Sequence, residues 1–280
     1  MVSAWYRVSI GGGVLLLWGM LITLRRQPES PRQPDAGEDR RGVRKWLAWG
    51  SLAGIFFALD LGLWHQAIRD AGAGISTFLA NLNVFYLTLF GVLFLGDTLS
   101  LRYVMLTCGA VLGALLLIDV SSWQQWSPRY AQGIGLGVLS GMAYSGYILC
   151  LRQAGSGARA LGWSPAFNLG LASLVTGGCL GGWMWLGQQS IAVSIKDLGY
   201  LILLAGIAQV AGWSLISFAL PRLRVSLSGL LLLLQPVLAT IWAWLLFGEW
   251  LSGWQIVGAV LTVICIYGGN LEYQRQQSHG

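Results

Sequence analysis

Leu95-Gly96-Asp97-Thr98-Leu99-Ser100 and Phe247-Gly248-Glu249-Trp250-Leu251-Ser252 are two versions of one turn, set 152 residues apart in a chain of 280. Each closes an apolar run, at 71–95 and at 225–247, and each leads into another. Glycine permits a tight exit from a helix, and an acid followed by serine suits the interfacial start of the next. On this reading Asp97 and Glu249 have a structural role. Five helix-length apolar stretches separate the two turns. Five crossings is an odd number, so the turns are expected on opposite faces of a bilayer, which makes the repeat an inverted one.

The offset aligns 67–100 with 219–252 without a gap and with nine identities in 34 positions, Ser76 with Ser228 and Thr88 with Thr240 among them. Asn83 meets Gln235, and one helix upstream Gly54 meets Gly206. Nine apolar stretches run at roughly 4–24, 46–68, 71–95, 102–119, 133–151, 163–187, 198–220, 225–247 and 253–271, each near the roughly 20 residues that span a bilayer as a helix. The same register pairs the first four with the last four and leaves 133–151 alone. The expected fold is all-α: a polytopic membrane protein with an inverted five-plus-five helix repeat, nine of ten helices being present. The first repeat covers 1–120 with four helices and the second 133–271 with five. A further apolar helix encoded upstream of Met1 is the corresponding expectation.

Composition leads to the same class. Hydrophobic residues make up 55% of the chain and charged residues 10%, and the mean hydropathy is +0.64. A soluble domain carries about a quarter charged residues. The net charge of +6 does not point to nucleic acid, because its distribution follows loops. Seven of the 17 basic residues lie in the 25–45 linker. With that linker cytoplasmic, alternate loops put thirteen inside, and only Arg7, Arg69, Arg129 and Lys196 fall outside. The positive-inside rule then places the C-terminal tail, 272–280, in the cytoplasm. Cys108, Cys150, Cys179 and Cys265 lack metal-ligand spacing and read as small packing residues, so neither metal nor cofactor is expected. Tryptophans at helix ends, Trp5, Trp46, Trp123, Trp126, Trp163, Trp250 and Trp254, read as an interfacial belt.

The two turns, the Gln235-Pro236-Val237 that precedes the second, and Ser226-Leu227-Ser228-Gly229 together resemble the EamA-type members of the drug/metabolite transporter superfamily. The likeness runs from about residue 46 onward. It implies ten helices in a five-plus-five inverted repeat and secondary transport of a small metabolite. Efflux of amino acids or similar amphipathic molecules from a bacterial cell across its inner membrane is the implied activity, with proton coupling an option. The chain departs from the pattern in its missing first helix and in Val84, which stands where the first repeat should have a proline.

Candidate contacts follow from the cost of polar groups at membrane depth. Asp60 is the one acid well inside an apolar stretch, either a functional group or a hydrogen-bonded packing residue, and Trp64 lies one turn on. The 198–220 helix carries Gln209, Trp213 and Ser217 as a stripe at i, i+4, i+8. Asn81 and Asn83, Tyr144 and Tyr147, and Gln235 beside Pro236 complete a proposed substrate-binding set. Each is also able to serve as interhelical glue. Gly109-x-x-x-Gly113 and Gly137-x-x-x-Gly141 are close-packing motifs.

The leading functional reading is a secondary transporter working by alternating access, its partners the lipid bilayer and a small-molecule substrate. A non-transporting scaffold or partner-dependent subunit is the alternative. An intramembrane enzyme ranks last: Ala143-Tyr144-Ser145-Gly146 is only faintly similar to a serine-protease nucleophile, and His-Glu-x-x-His and P-loop motifs are absent.

Overall fold

A computed structural model describes residues 1–25, 36–117, 127–248 and 250–278. Among them the secondary structure is helical throughout, with no strand. Eight helices are long and apolar enough to cross a bilayer, and a ninth apolar helix of 16 residues is shorter. The helices are α1 (Val2–Arg25), α2 (Ala36–Ala71), α3 (Ala73–Asn81), α4 (Asn83–Leu95), α5 (Leu101–Leu116), α6 (Pro128–Ala160) and α7 (Pro165–Leu186). They continue with α8 (Ile195–Leu204), a π-helical stretch (Ala205–Gly212), α9 (Trp213–Ala219), α10 (Val225–Leu232), α11 (Leu234–Phe247) and α12 (Gly253–Ser278). The pairs α3–α4 and α10–α11 are single broken spans, and α8, the π stretch and α9 form another.

Two helices overrun their sequence-based limits. The 46–68 stretch begins at Ala36, taking the basic end of the linker into α2, and the 133–151 stretch becomes α6, which carries Arg152 and Arg159. Hydropathy locates the part of a helix that sits in lipid, but backbone hydrogen bonding continues into water. The 119–132 linker lies largely outside the described residues, as do Glu249, Trp123 and Trp126.

The chain forms two compact units, Met1–Gly62 with Gly146–Arg222, and Leu63–Ser145 with Leu223–Gly280. Within each unit a helix of the first half packs antiparallel on its own repeat counterpart. In the first unit α1 runs against α7. A Cβ built on Gly12 would meet Ser173, one on Gly170 would meet Leu16, and one on Gly177 would meet Ser9. Each step along α1 is thus matched by a step back along α7, a register that brings Leu17 level with Leu169, 152 residues later. In the second unit α5 runs against α12. Ser100 donates to Glu272, Gln255 donates to the Leu117 carbonyl, and Gly113 faces Gly258. At the centre the Thr262 hydroxyl, 2.8 Å from the Gly258 carbonyl of its own helix, shares its proton with the Ala110 carbonyl at 3.3 Å, and Ala110 and Thr262 are 152 apart. Antiparallel self-pairing at the repeat offset is what an inverted repeat produces around a local two-fold axis.

The recurring turn has the chemistry its sequence suggests. Gly96 and Gly248 adopt φ of +70° and +66°, the left-handed region that ends a helix. The N–H of Asp97 closes the Gly91 carbonyl at 2.9 Å. Ser100 caps α5 by accepting the Tyr103 N–H, and Ser252 and Gln255 form a reciprocal capping box at the start of α12. Asp97 also reaches the beginning of α10, where its Oδ2 accepts the Ser226 N–H at 3.2 Å and the Ser226 hydroxyl at 2.8 Å.

The α3–α4 span breaks without a proline, whereas the α10–α11 span breaks three residues before Pro236, which has no N–H for the Leu232 carbonyl. At Leu82 the N–H bonds back three residues to the Leu79 carbonyl, and at Leu233 to that of Leu230. The breaks are one residue off the repeat register. Pro236 sits in the first turn of α11, where a missing N–H costs little. Val84 takes the equivalent place in α4, so its departure from the proline pattern leaves the kink intact. Gly141 permits α6 to approach this break, because a Cβ there would lie 2.9 Å from the Leu79 carbonyl and 3.0 Å from that of Ala80.

Candidate substrate site

The first unit gathers a polar and aromatic cluster from α1, α2, α6, α7 and the α8–α9 span. Phe57 of α2 stacks on Tyr147 of α6 with centroids 4.3 Å apart and planes within 10°. Trp213 closes the group edge-on, 5.3 Å from Phe57 and 4.9 Å from Tyr147. Pairs of this kind contribute about 0.5–1.5 kcal/mol each beyond burial of their area. The Arg7 guanidinium of α1 lies 5.9 Å from the Phe57 ring centre. Asp60 is one turn along α2 from Phe57, on the same face, and is buried.

The π stretch positions the amide side of the cluster. Single π turns inside α-helices recur at functional sites because they rotate the following residues without ending the helix. Gln209 sits within it, fully buried, and its Nε2 donates to Ser173 Oγ of α7 at 2.9 Å. Its Oε1 is buried without a partner among the described residues. Gly11 is what lets α1 come this close, since a Cβ there would lie 2.6 Å from the Gln209 side chain. Gln209, Trp213 and Ser217 are all buried, so the stripe faces protein despite the change of helical pitch.

Of the sequence-derived set, Asp60, Tyr147, Gln209 and Trp213 fall in this first unit. Trp64, Asn81, Asn83, Tyr144 and Gln235 belong to the second. There Trp64 is half-buried, its ring edge-on to His65 at 5.1 Å. Asn81 is half-buried beside the Leu82 break, Tyr144 is half-buried on α6, and Gln235 is exposed. Asn83 is buried with both amide atoms unpaired among the described residues, while its carbonyl receives the Ser145 hydroxyl at 3.4 Å. Arg7, Phe57 and Ser173 are the cluster members that sequence reading did not select. Arg7 lies so near the chain start that it counts as a flanking charge, although five residues of α1 precede it. Phe57 and Ser173 look like ordinary membrane residues until their neighbours are known.

Trp46 differs from its expected place in an interfacial belt. It is buried, packed between Trp163 and Phe167, and its Nε1 donates to Asn168 Oδ1 at 3.1 Å.

The EamA-like transporter family matches residues 1–119 and 131–270. The chain belongs to this family. It is a membrane transporter family and not an enzyme family. Two curated relatives, the pseudopaline exporters CntI of Pseudomonas aeruginosa strains UCBPP-PA14 and PAO1, are each 27% identical over 237 residues, 84% of this chain and 78% of theirs. A solved crystal structure shares the fold at a TM-score of 0.75 and 17% identity, covering 98% of this chain and 88% of its own. The cluster thus combines aromatic faces, a half-buried cation, a buried acid and an amide oxygen unpaired among the described residues.

Proposed function

We propose that the chain is a secondary exporter of a small zwitterionic or otherwise amphipathic metabolite, an amino acid being the simplest, working by alternating access. The observation that carries this reading is the presence of Arg7 and Asp60 beside one aromatic trio, on helices long and apolar enough to span a bilayer. A carboxylate of the substrate would seek Arg7, an ammonium group Asp60, and its apolar part the faces of Phe57, Tyr147 and Trp213. Because Asp60 and the three rings are buried, a substrate reaches them only through a conformational change, the requirement that alternating access meets. That the Pseudomonas relatives are exporters supports the outward direction. The reading includes a bacterial inner-membrane location, a cytoplasmic C-terminus and proton coupling through Asp60. It retains repeats at 1–120 and 133–271, and it keeps Trp64, Asn81, Asn83, Tyr144 and Gln235 as positions to be tested one by one.

The test is efflux of radiolabelled amino acids from proteoliposomes with and without a pH gradient. Asp60→Asn preserves side-chain volume and removes only the ionisable group. It is expected to lower flux by about tenfold or more, as loss of one charge-assisted substrate contact of about 1.5–3 kcal/mol does, at unchanged protein level, and to abolish dependence on the gradient. Full, gradient-sensitive flux in this variant would return Asp60 to a packing role.

A further inference from the structure

At one end of the first unit lies a pocket of about 330 Å³, distinct from the aromatic cluster. Its walls are the last turns of α1 (Trp18, Ile22), the α6–α7 corner (Arg159 to Ala166) and the end of the α8–α9 span (Ser214, Phe218, Arg222). Two guanidinium groups reach it, and neither meets a carboxylate among the described residues. Arg159 makes a 3.5 Å contact with the Ser156 hydroxyl, and Arg222 donates to the Phe218 carbonyl while lying 3.7 Å over that residue's ring. The positive end of the 22-residue α7, capped by Ser164, is directed at the same space. Ser214 Oγ, in the lining, is buried with no partner among the described residues. This end of the unit is therefore cationic and contains a hydroxyl unpaired among those residues.

The rim is of the opposite character. Trp18 and Phe218 are about half exposed, at 48% and 53%, as is Leu21, and Leu17 and Leu215 beside them on the same helices are more exposed still. In a membrane helix such residues face acyl chains. The pocket thus opens where lipid lies, with its charges at the level where a helix ends.

We propose that this pocket binds the phosphate of an anionic phospholipid, with Arg159 and Arg222 pairing the headgroup and the exposed Trp18–Phe218 rim carrying the start of the chains. Basic pockets between helix ends recognise acidic headgroups in this way. A soluble phosphate would use the same two arginines but would gain nothing from the rim, which is the ground for assigning the site to a lipid. The pocket is fixed to α1 and α9, the helices that carry Arg7 and Trp213, so headgroup occupancy would brace the cluster's framework.

The test is native mass spectrometry of the delipidated full-length protein, titrated with phosphatidylglycerol, with phosphatidylcholine, and with glycerol 3-phosphate as a headgroup lacking chains. Retention of phosphatidylglycerol in preference to phosphatidylcholine is expected. Arg159→Gln and Arg222→Gln should each weaken that retention about fivefold and the double variant about 25-fold. Ser214→Leu, which fills the pocket and leaves both arginines, should also weaken it. Equal retention of the two lipids, or undiminished phosphatidylglycerol binding in the double variant, overturns the proposal. Saturable binding of glycerol 3-phosphate with no lipid preference overturns the lipid assignment and makes the ligand a free phosphate.

Discussion

Replacing Gly113 by alanine should destabilise the protein, whereas the same change at Gly135 should not. A methyl group at Gly113 would stand 2.7 Å from the Gly258 carbonyl oxygen and 2.8 Å from the Thr262 backbone nitrogen. Ordinary contacts to carbon begin near about 3.5 Å, so α12 would have to withdraw by roughly 0.7 Å along a contact made of backbone on both sides. Overpacking of this kind costs about 1–3 kcal/mol. The withdrawal also stretches the longer, 3.3 Å branch of the Thr262 hydrogen bond to Ala110, at a further cost of about 0.5 kcal/mol, the low end for a hydrogen bond. Removing a helical glycine returns about 0.5–1 kcal/mol. The net loss is about 0.5–3 kcal/mol, or a melting temperature lower by roughly 1–10 °C. At Gly135, in α6, an added Cβ meets nothing within 4 Å, so only the gain remains and melting should rise by roughly 1–4 °C. Thermal unfolding in detergent, followed by exposure of the buried Cys265 thiol to a reactive dye, reads both. If Gly113→Ala melts at or above the unmodified protein, or both variants move in the same direction, the close approach of α5 and α12 is not as described.

Asp97→Ala should lower melting by roughly 3–10 °C, because about 1.5–3 kcal/mol of charge-assisted bonding to Ser226 is lost, and a double-mutant cycle with Ser226→Ala should be non-additive; additive effects would deny the contact. Arg7→Gln should impair amino-acid efflux while leaving the protein's level in the membrane unchanged, and normal flux would confine Arg7 to topology. In a cysteine-free background, a thiol at Ser190 should react with an impermeant reagent in intact cells and one at Ser156 only after permeabilisation, whereas the reverse pattern would invert the proposed orientation.

The repeat was legible because its signals are local. Gly96 and Gly248 announce a left-handed helix end, and Ser100 and Ser252 a cap, through chemistry that needs no knowledge of the rest of the fold. The 152-residue offset was readable over 67–100, and the same offset governs α1 on α7 and α5 on α12, where identities are too few to align. The cluster was legible only in part. Asp60, Gln209 and Trp213 stand out against apolar surroundings, but Phe57 is one phenylalanine among nine, and its importance lies in the rings it touches. Trp46 misled for a similar reason: an indole at a helix end is compatible with lipid or with a buried amide, and only Asn168, 122 residues away, decides which. The Leu82 break was obscured because the expected sign of it, a proline, is absent from the first half.

The crossing of α5 and α12 at Ala110 and Thr262 has a consequence for ancestry. At the axis of an antiparallel pair of identical helices each residue confronts its own copy, so a dimer of unfused halves could place there only alanine against alanine or threonine against threonine. The first pairing leaves no hydroxyl to donate, and the second sets two branched side chains in the space that Gly113 and Gly258 keep tight. Joining two halves in one polypeptide releases the position from that identity. One side can then become a donor and the other remain small, a lock that a symmetric assembly could never evolve.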